Sequence, residues 1–177
     1  MHTAKIFPAQ IAHAVARRIV GELKPACDRI EIAGSLRRGN NTVHDIDIVL
    51  LPKEAPESFS LDSSTLLEGL LSQLVERGSL TPVRGREKIK CFVATKTGIP
   101  VDVYVAKRET WATLLLIRTG SKEHNIKLAQ RAKELGMKLR ASGDGIEHAN
   151  GDLLRVKAEE EVFALLSLPY VRPEERT

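Results

Sequence analysis

Residues 34–52, GSLRRGNNTVHDIDIVLLP, place a glycine-serine pair and two arginines a few residues before two aspartates at the mouth of an apolar run. Buried charge is costly unless it is paired or holds a metal, so charges of both signs at this point need a reason. In a strand alternate side chains share a face. Asp45 and Asp47 therefore point one way, and Ile46, Ile48 and Leu50 the other. The same alternation in PVDVYVA, residues 100–106, sets Asp102 and Tyr104 against Val101, Val103 and Val105. If the two strands are neighbours, three carboxylates converge. Their repulsion raises at least one pKa, and the usual relief is a hard divalent cation bound through oxygen, Mg²⁺ being the natural candidate. The plainer alternative is that Asp45 caps the turn and Asp47 pairs with an arginine.

The residues just upstream favour the first reading. Gly34 and Ser35 follow a strand and open a short Leu-Arg-Arg turn, whose first amides lack intrahelical acceptors and suit an anion. Arg38 lies three residues after Ser35 and faces the same way. A hydroxyl, free amides and a guanidinium aimed at one spot fit a triphosphate tail, with the aspartates eleven and thirteen residues after the glycine holding the bridging metal.

Composition bounds the rest. The chain has 177 residues, 42% hydrophobic and 28% charged, with a net charge of +4, which describes a soluble globular chain with one main core. Its two cysteines, Cys27 and Cys91, cannot build a zinc cluster of the usual spacing, and no signal-like or membrane-length apolar run occurs. A reducing, cytoplasmic-type compartment is the default expectation. The charge is unevenly spread: residues 118–140 carry seven cations against two anions, and residues 84–96 five against one. Such runs are commonly solvated faces, yet two of them flanking a carboxylate site also suit a phosphate backbone.

Hydrophobic periodicity predicts a helix near 8–23 with Ile11, Val15, Ile19 and Leu23 on one face, started by Pro8 and stopped by Pro25. RIEIAG and DIDIVLLP read as strands, KEAPESFSLDSS as a loop, and about 64–77 as a helix. TPVRG, EKIKCFVAT and PVDVYVA read as three strand-like runs with KTGI as the last hairpin turn. RETWATLLLIRTG and SKEHNIKLAQRAKELG read as helices, the second closed by Gly136. A strand pair is expected around 137–156, then a helix opened by Glu159, Glu160 and Glu161. Neither a repeat nor a low-complexity segment is present.

GSLRRG with DIDIV, then VDVYVA, RTGSKEHN and EEEVFALLSLPYVRPEER, resembles the X family of DNA polymerases, the polymerase β-like nucleotidyltransferases, over residues 6 to 176. The first motif marks the wider nucleotidyltransferase superfamily, and the later ones the X family. The resemblance implies an α+β fold: a palm of mixed β-sheet backed by helices over 1–106, then a small α+β thumb-like lobe over 107–177 that closes on the nucleotide. It implies two Mg²⁺ ions, with Mn²⁺ as a substitute; Asp45 and Asp47 would bind both, and Asp102 the catalytic one. Gly34, Ser35 and Arg38 would hold the β- and γ-phosphates. Thr119, Gly120 and Ser121 match the turn beside the incoming sugar and base, and Asn125 the minor-groove asparagine. Lys88, Lys90, Lys122, Lys127 and Arg131 are the candidates for nucleic-acid contact.

The implied activity is transfer of a nucleotide from an NTP or dNTP to a primer 3′-hydroxyl, in gap filling or end repair, by a monomer with DNA and nucleoside triphosphate as partners and no membrane. The cytoplasm, or a host cytoplasm for a viral or phage protein, is the expected place. Two alternatives stay open: a nucleotidyltransferase on RNA, protein, a small molecule or an untemplated end, and a catalytically silent nucleic-acid binder, which the three retained aspartates oppose. About 33 residues precede Gly34, too few for the family's helix-hairpin-helix lyase domain, so a minimal palm-plus-thumb form is expected. Ile117 and Arg118 stand where an aromatic residue commonly precedes the Thr-Gly turn, which leaves sugar selectivity open. Pro100 replaces a basic neighbour of Asp102, and Ala129 an arginine on the template side. Ser121 reads as an N-cap, His44 as an exposed turn residue, and His124 and Trp111 as structural.

Overall fold

The strand alternation read at Asp45–Leu51 recurs across the main sheet of the computed structural model, which describes residues 5–53, 64–83 and 89–177. In chain order the first elements are β1 (Phe7–Pro8), α1 (Ala9–Leu23), β2 (Cys27–Ile32), α2 (Gly34–Arg37), β3 (Thr42–Val43), β4 (Ile46–Pro52) and α3 (Ser64–Glu76). There follow β5 (Leu80–Pro82), β6 (Ile89–Ala94), β7 (Ile99–Val105), α4 (Trp111–Thr119) and α5 (Lys122–Glu134), and then β8 (Met137–Leu139), β9 (Ile146–His148), β10 (Leu153–Leu154) and α6 (Glu159–Leu165). The main sheet has the order β2-β4-β7-β6-β5. Only the central β4–β7 pair is parallel; β2–β4, β6–β7 and β5–β6 are antiparallel.

Alternation gives each central strand two apolar partners. Ile46, Ile48, Leu50, Val101 and Val103 pack on one side against α1 and α3 through Ala12, Ala16, Ile19, Leu23, Leu67 and Leu71. Val49, Leu51, Tyr104 and Ala106 pack on the other side against Trp111, Leu114 and Leu115 of α4. The polar aspartates occupy the mouth of this second side. Helix α4 turns its remaining residues, Ala112, Leu116 and Ile117, into a separate core with α5, α6 and the small sheet β8-β9-β10. The expected palm of mixed strands backed by helices, with a small α+β lobe after it, is therefore the observed architecture.

Several local readings change. The buried stripe of α1 runs through Ala12, Ala16, Ile19 and Leu23, while Ile11 is exposed. Small alanines let the helix lie close to the sheet, which rotates the stripe away from Ile11. Pro8 sits just outside the helix, where it pairs with Thr42 in the β1–β3 ribbon. The strand from RIEIAG begins earlier, at Cys27, and the expected strand pair in 137–156 is a three-stranded antiparallel sheet, because Leu153–Leu154 pairs with β9. The loop reading of KEAPESFSLDSS and the later part of TPVRG fall mainly outside the described residues, as does Lys88.

Candidate active site

Strand register brings the aspartates together. In the parallel β4–β7 ladder Asp47 lies directly across from Asp102, Ile46 across from Val101 and Ile48 across from Val103. Side chains directly opposite on one face are nearest neighbours. Asp45 is two residues upstream on the same face. None of the three carboxylates forms an ion pair among the described residues. The plainer alternative, an arginine paired with Asp47, is not what is observed.

The electrostatics follow from that crowding. The Asp47 carboxyl is pushed up to about 7, first by burial and then by the charges of Asp45 and Asp102; a hydrogen bond from Tyr104 and the Arg118 charge oppose this. Asp45 is raised as well, by burial and by Asp102, against His44 and Arg38. Tyr104 sits at the junction of the acids, its hydroxyl donating to Asp102 Oδ2 at 3.4 Å. Both burial and repulsion penalise the ionised carboxylates, and an oxygen-bound divalent cation removes the repulsion. The residues present fit such a cation. Among the described residues no trio of His, Cys, Asp or Glu closes into a ready cage.

Gly34 is fitted against this group. Its φ is +60°, and a Cβ built there would stand 2.0 Å from Asp47 Oδ2. Only glycine tolerates both the backbone conformation and the contact. The amide of Ala33 donates to the Asp47 carbonyl at 2.8 Å, so the end of β2 is laced to β4 where α2 begins. Upstream of Asp45, β1 pairs with β3, the Ala9 amide donates to the Asn41 carbonyl at 2.9 Å, and exposed His44 has Nδ1 3.1 Å from the Lys5 carbonyl. These bonds fix the approach to Asp45 and β4.

The turn at Thr119–Ser121 meets the α2 turn. Arg38 Nη1 donates to the Thr119 carbonyl, and Arg37 Nη1 to Thr119 Oγ1 at 2.7 Å. Gly120 has φ +71°, and a Cβ there would lie 3.0 Å from Arg38 Nη1. The fully buried Thr119 side chain thus faces the α2 arginines. Ser121 accepts the His124 amide at 3.1 Å, an N-cap for α5. Asn125 Nδ2 donates to the Ile117 carbonyl at 2.8 Å, while its Oδ1 is buried without a donor. The fold therefore gathers Gly34, Arg38, Thr119 and Gly120 at one place, with Ser35 in the same α2 turn.

The basic candidates divide. Lys122 and Lys127 stand exposed on α5. Arg131 is spent inside the lobe, with Nε on the Leu166 carbonyl at 3.0 Å and Nη1 on Glu134 at 3.0 Å. Lys90 forms an ion pair with Glu68 of α3.

Three residues that sequence reasoning missed join the two lobes. Glu159, at the start of α6, accepts both Nη groups of Arg37 at 2.9 and 2.7 Å and Arg176 Nη1 at 2.8 Å. Arg176 is fully buried, lying over the rings of Phe163 and Tyr170. The first arginine of GSLRRG and the first of three consecutive glutamates were the available signal, but nothing local pairs them across 122 positions.

Comparison with known proteins bears on the two lobes. A family model described as DNA polymerase beta palm matches residues 8–88, and one described as DNA polymerase beta thumb matches residues 114–177. The DNA polymerase/3'-5' exonuclease PolX of Bacillus subtilis (strain 168) is 31% identical over 175 residues, covering 96% of this chain and 28% of its own length. DNA polymerase lambda of Rattus norvegicus is 28% identical over 163 residues, 81% of this chain and 28% of its own length. The chain thus spans well under half the length of either relative.

Proposed function

This chain belongs to the X family of DNA polymerases, the polymerase β-like nucleotidyltransferases, in palm-plus-thumb form, and from that membership we propose that it adds nucleotides from a nucleoside triphosphate to a DNA primer 3′-hydroxyl. The observation that carries the proposal is the register of Asp47 against Asp102 with Gly34 pressed on Asp47. X-family polymerases use divalent metal ions. Here Asp45, Asp47 and Asp102 would hold them, with Mg²⁺ as the working ion and Mn²⁺ as a substitute. When bound, such cations neutralise charge on the attacking and leaving oxygens of an in-line displacement.

The chain's own residues supply position. Gly34, Ser35 and Arg38 receive the β- and γ-phosphates at the α2 turn. Thr119, Gly120 and Ser121 form the wall beside the sugar, a role supported by the bonds that hold this turn to Arg37 and Arg38. Asn125 is the candidate for the minor-groove side of the base pair, and the exposed Lys122 and Lys127 offer phosphate contacts. All of these groups come from one chain, which supports a monomer as the working unit. Cys27 and Cys91 are not joined in a disulfide, which suits a reducing, cytoplasmic-type compartment. Among the described residues no helix is long and apolar enough to cross a membrane.

Primer extension on gapped, open-template and single-stranded DNA, with Mg²⁺ or Mn²⁺, tests the proposal. Template-directed extension, strongest on short gaps and lost in Asp47→Asn, is the expected result. Untemplated labelling, or labelling without DNA, would move the assignment to another acceptor. Because Ile117 and Arg118 replace the usual aromatic residue, ribonucleotides should be incorporated at rates near those of deoxynucleotides, and strong exclusion of the ribose would refute that part.

A further inference from the structure

We infer that Tyr104 and Arg118 are positioning residues that tie the orientation of the Asp102 carboxylate to the seating of the thumb's 140–145 loop on the palm. The inference rests on the reading of Asp102 as a metal ligand and goes beyond it to what holds that ligand in place.

The groups form a row. Tyr104 lies two residues beyond Asp102 on the same face of β7, and its hydroxyl donates to Asp102 Oδ2 at 3.4 Å. The Arg118 guanidinium lies over the Tyr104 ring, 4.4 Å from the centroid, near enough for a cation–π contact. Arg118 Nη2 donates to the Ser142 carbonyl at 3.2 Å, in the loop between β8 and β9. That loop is seated closely on α4: Thr113 Oγ1 donates to the Gly143 carbonyl at 2.8 Å, and a Cβ on Gly143 would stand 2.8 Å from the Leu114 backbone. One chain of contacts thus runs from thumb loop to Arg118, to Tyr104, to Asp102.

Two further observations argue that this row does more than fill space. Arg118 Nε is buried with no acceptor among the described residues, a cost that a side chain placed only for packing would have no reason to carry. Beside the row lies a cleft of about 820 Å³, bordered by Tyr104, Leu114, Arg118, Arg140, Ser142 and Leu153. Arg118 has room to swing there, so its stacking on Tyr104 is chosen by interaction and not enforced by close packing. Metal-ligating carboxylates are commonly oriented by hydrogen bonds of this kind.

The test compares Tyr104→Phe, Arg118→Leu and the double variant with the parent. Steady-state extension is measured in Mg²⁺, and Mn²⁺ affinity is measured without turnover by electron paramagnetic resonance on protein alone and on a complex with a dideoxy-terminated primer. Tyr104→Phe keeps the ring and loses the hydroxyl, so it should lower kcat and Mn²⁺ affinity by about tenfold each while the nucleotide KM stays within about twofold. Arg118→Leu should act in the same direction, and the double variant should be little worse than the worse single one. Arg118→Lys, which keeps the charge without the flat stacking group, should recover only part of the loss. Parental kcat and Mn²⁺ affinity in Tyr104→Phe would overturn the inference, as would additive losses or a fall in melting temperature with both readouts unchanged. If Asp102→Ala leaves Mn²⁺ binding untouched, the metal reading itself fails. If Asp102→Ala weakens binding and Tyr104→Phe does not, this inference alone fails.

Discussion

Glu159 and the trio Asp45, Asp47 and Asp102 are all acids withdrawn from full exposure, and the fold treats them oppositely. Glu159 meets two guanidiniums, one on each side, and its carboxyl is held below the usual range because the hydrogen bonds from Arg37 and Arg176 outweigh the cost of burial. Asp45, Asp47 and Asp102 meet one another, and burial with mutual repulsion raises the first two. The difference separates a junction from a site. At the junction the countercharges are encoded in the chain, so the lobes are joined without a ligand. At the aspartates no countercharge is paired among the described residues, and under the proposed function a bound cation would supply it.

The largest effect is expected at the aspartates. Asp102→Ala should abolish nucleotide transfer, by on the order of a thousandfold or more, with the fold intact by circular dichroism and melting. Full activity would erase the distinction between the two groups. Next, Glu159→Gln leaves two guanidiniums beside a neutral amide. A stability loss of about 3 kcal/mol is expected by denaturant titration at pH 7, at the low end for a buried pair because Arg37 keeps 22% of its side chain exposed. Since the Glu159 carboxyl is lowered from 4.5, its contribution is present above that pH and lost as pH falls through the lower folded value, so parent and variant should converge in acid.

The aspartates should show the opposite sign. Asp47 moves from 3.8 up to about 7, so the fold binds its proton more tightly than the unfolded chain does. Stability from that proton is full below 3.8 and lost as pH rises through about 7. Asp47→Asn should therefore melt higher than the parent in chelator at pH 8, and the gap should close toward pH 4 or on adding Mg²⁺. A variant less stable than the parent under those conditions would place Asp47 with the junction. The smallest effect concerns His124, which packs near Phe163 and is pushed down to about 4 mainly by burial, with Arg176 adding to it. The unfolded chain takes that proton first, so stability falls as pH drops from 6.5 to about 4. His124→Phe should flatten that slope in a series of melts, and an unchanged slope would remove His124 from the junction's surroundings.

What could be read in advance follows the range of each interaction. The facing of Asp45, Asp47 and Asp102 is a consequence of strand periodicity alone, and needed only that β4 and β7 be neighbours. Ser121 as a cap and Gly136 at the end of α5 are local chemistry and were legible for that reason. The fit of Gly34 against Asp47 was foreseen as a tight turn, but not as a contact. Glu159 was read as a helix-dipole residue, because a run of three glutamates carries no sign that one of them turns inward. Arg131 was read by its charge alone, because sequence does not show the Leu166 carbonyl it also meets. The α1 stripe shifted because alanine carries little weight in a hydrophobic pattern, although closeness of packing favours it.

Helix α4 packs Trp111, Leu114 and Leu115 against the palm sheet and Ala112, Leu116 and Ile117 into the thumb core, with Thr113 and Thr119 also enclosed. A substitution scan along such a segment has no forgiving side, so tolerance from 111 to 119 should lack the three-to-four-residue rhythm of an ordinary surface helix. Rolling about its own axis would expose one core or the other. The chain enters this rod just before Trp111 and leaves it at Gly120, in the turn that Arg37 and Arg38 hold.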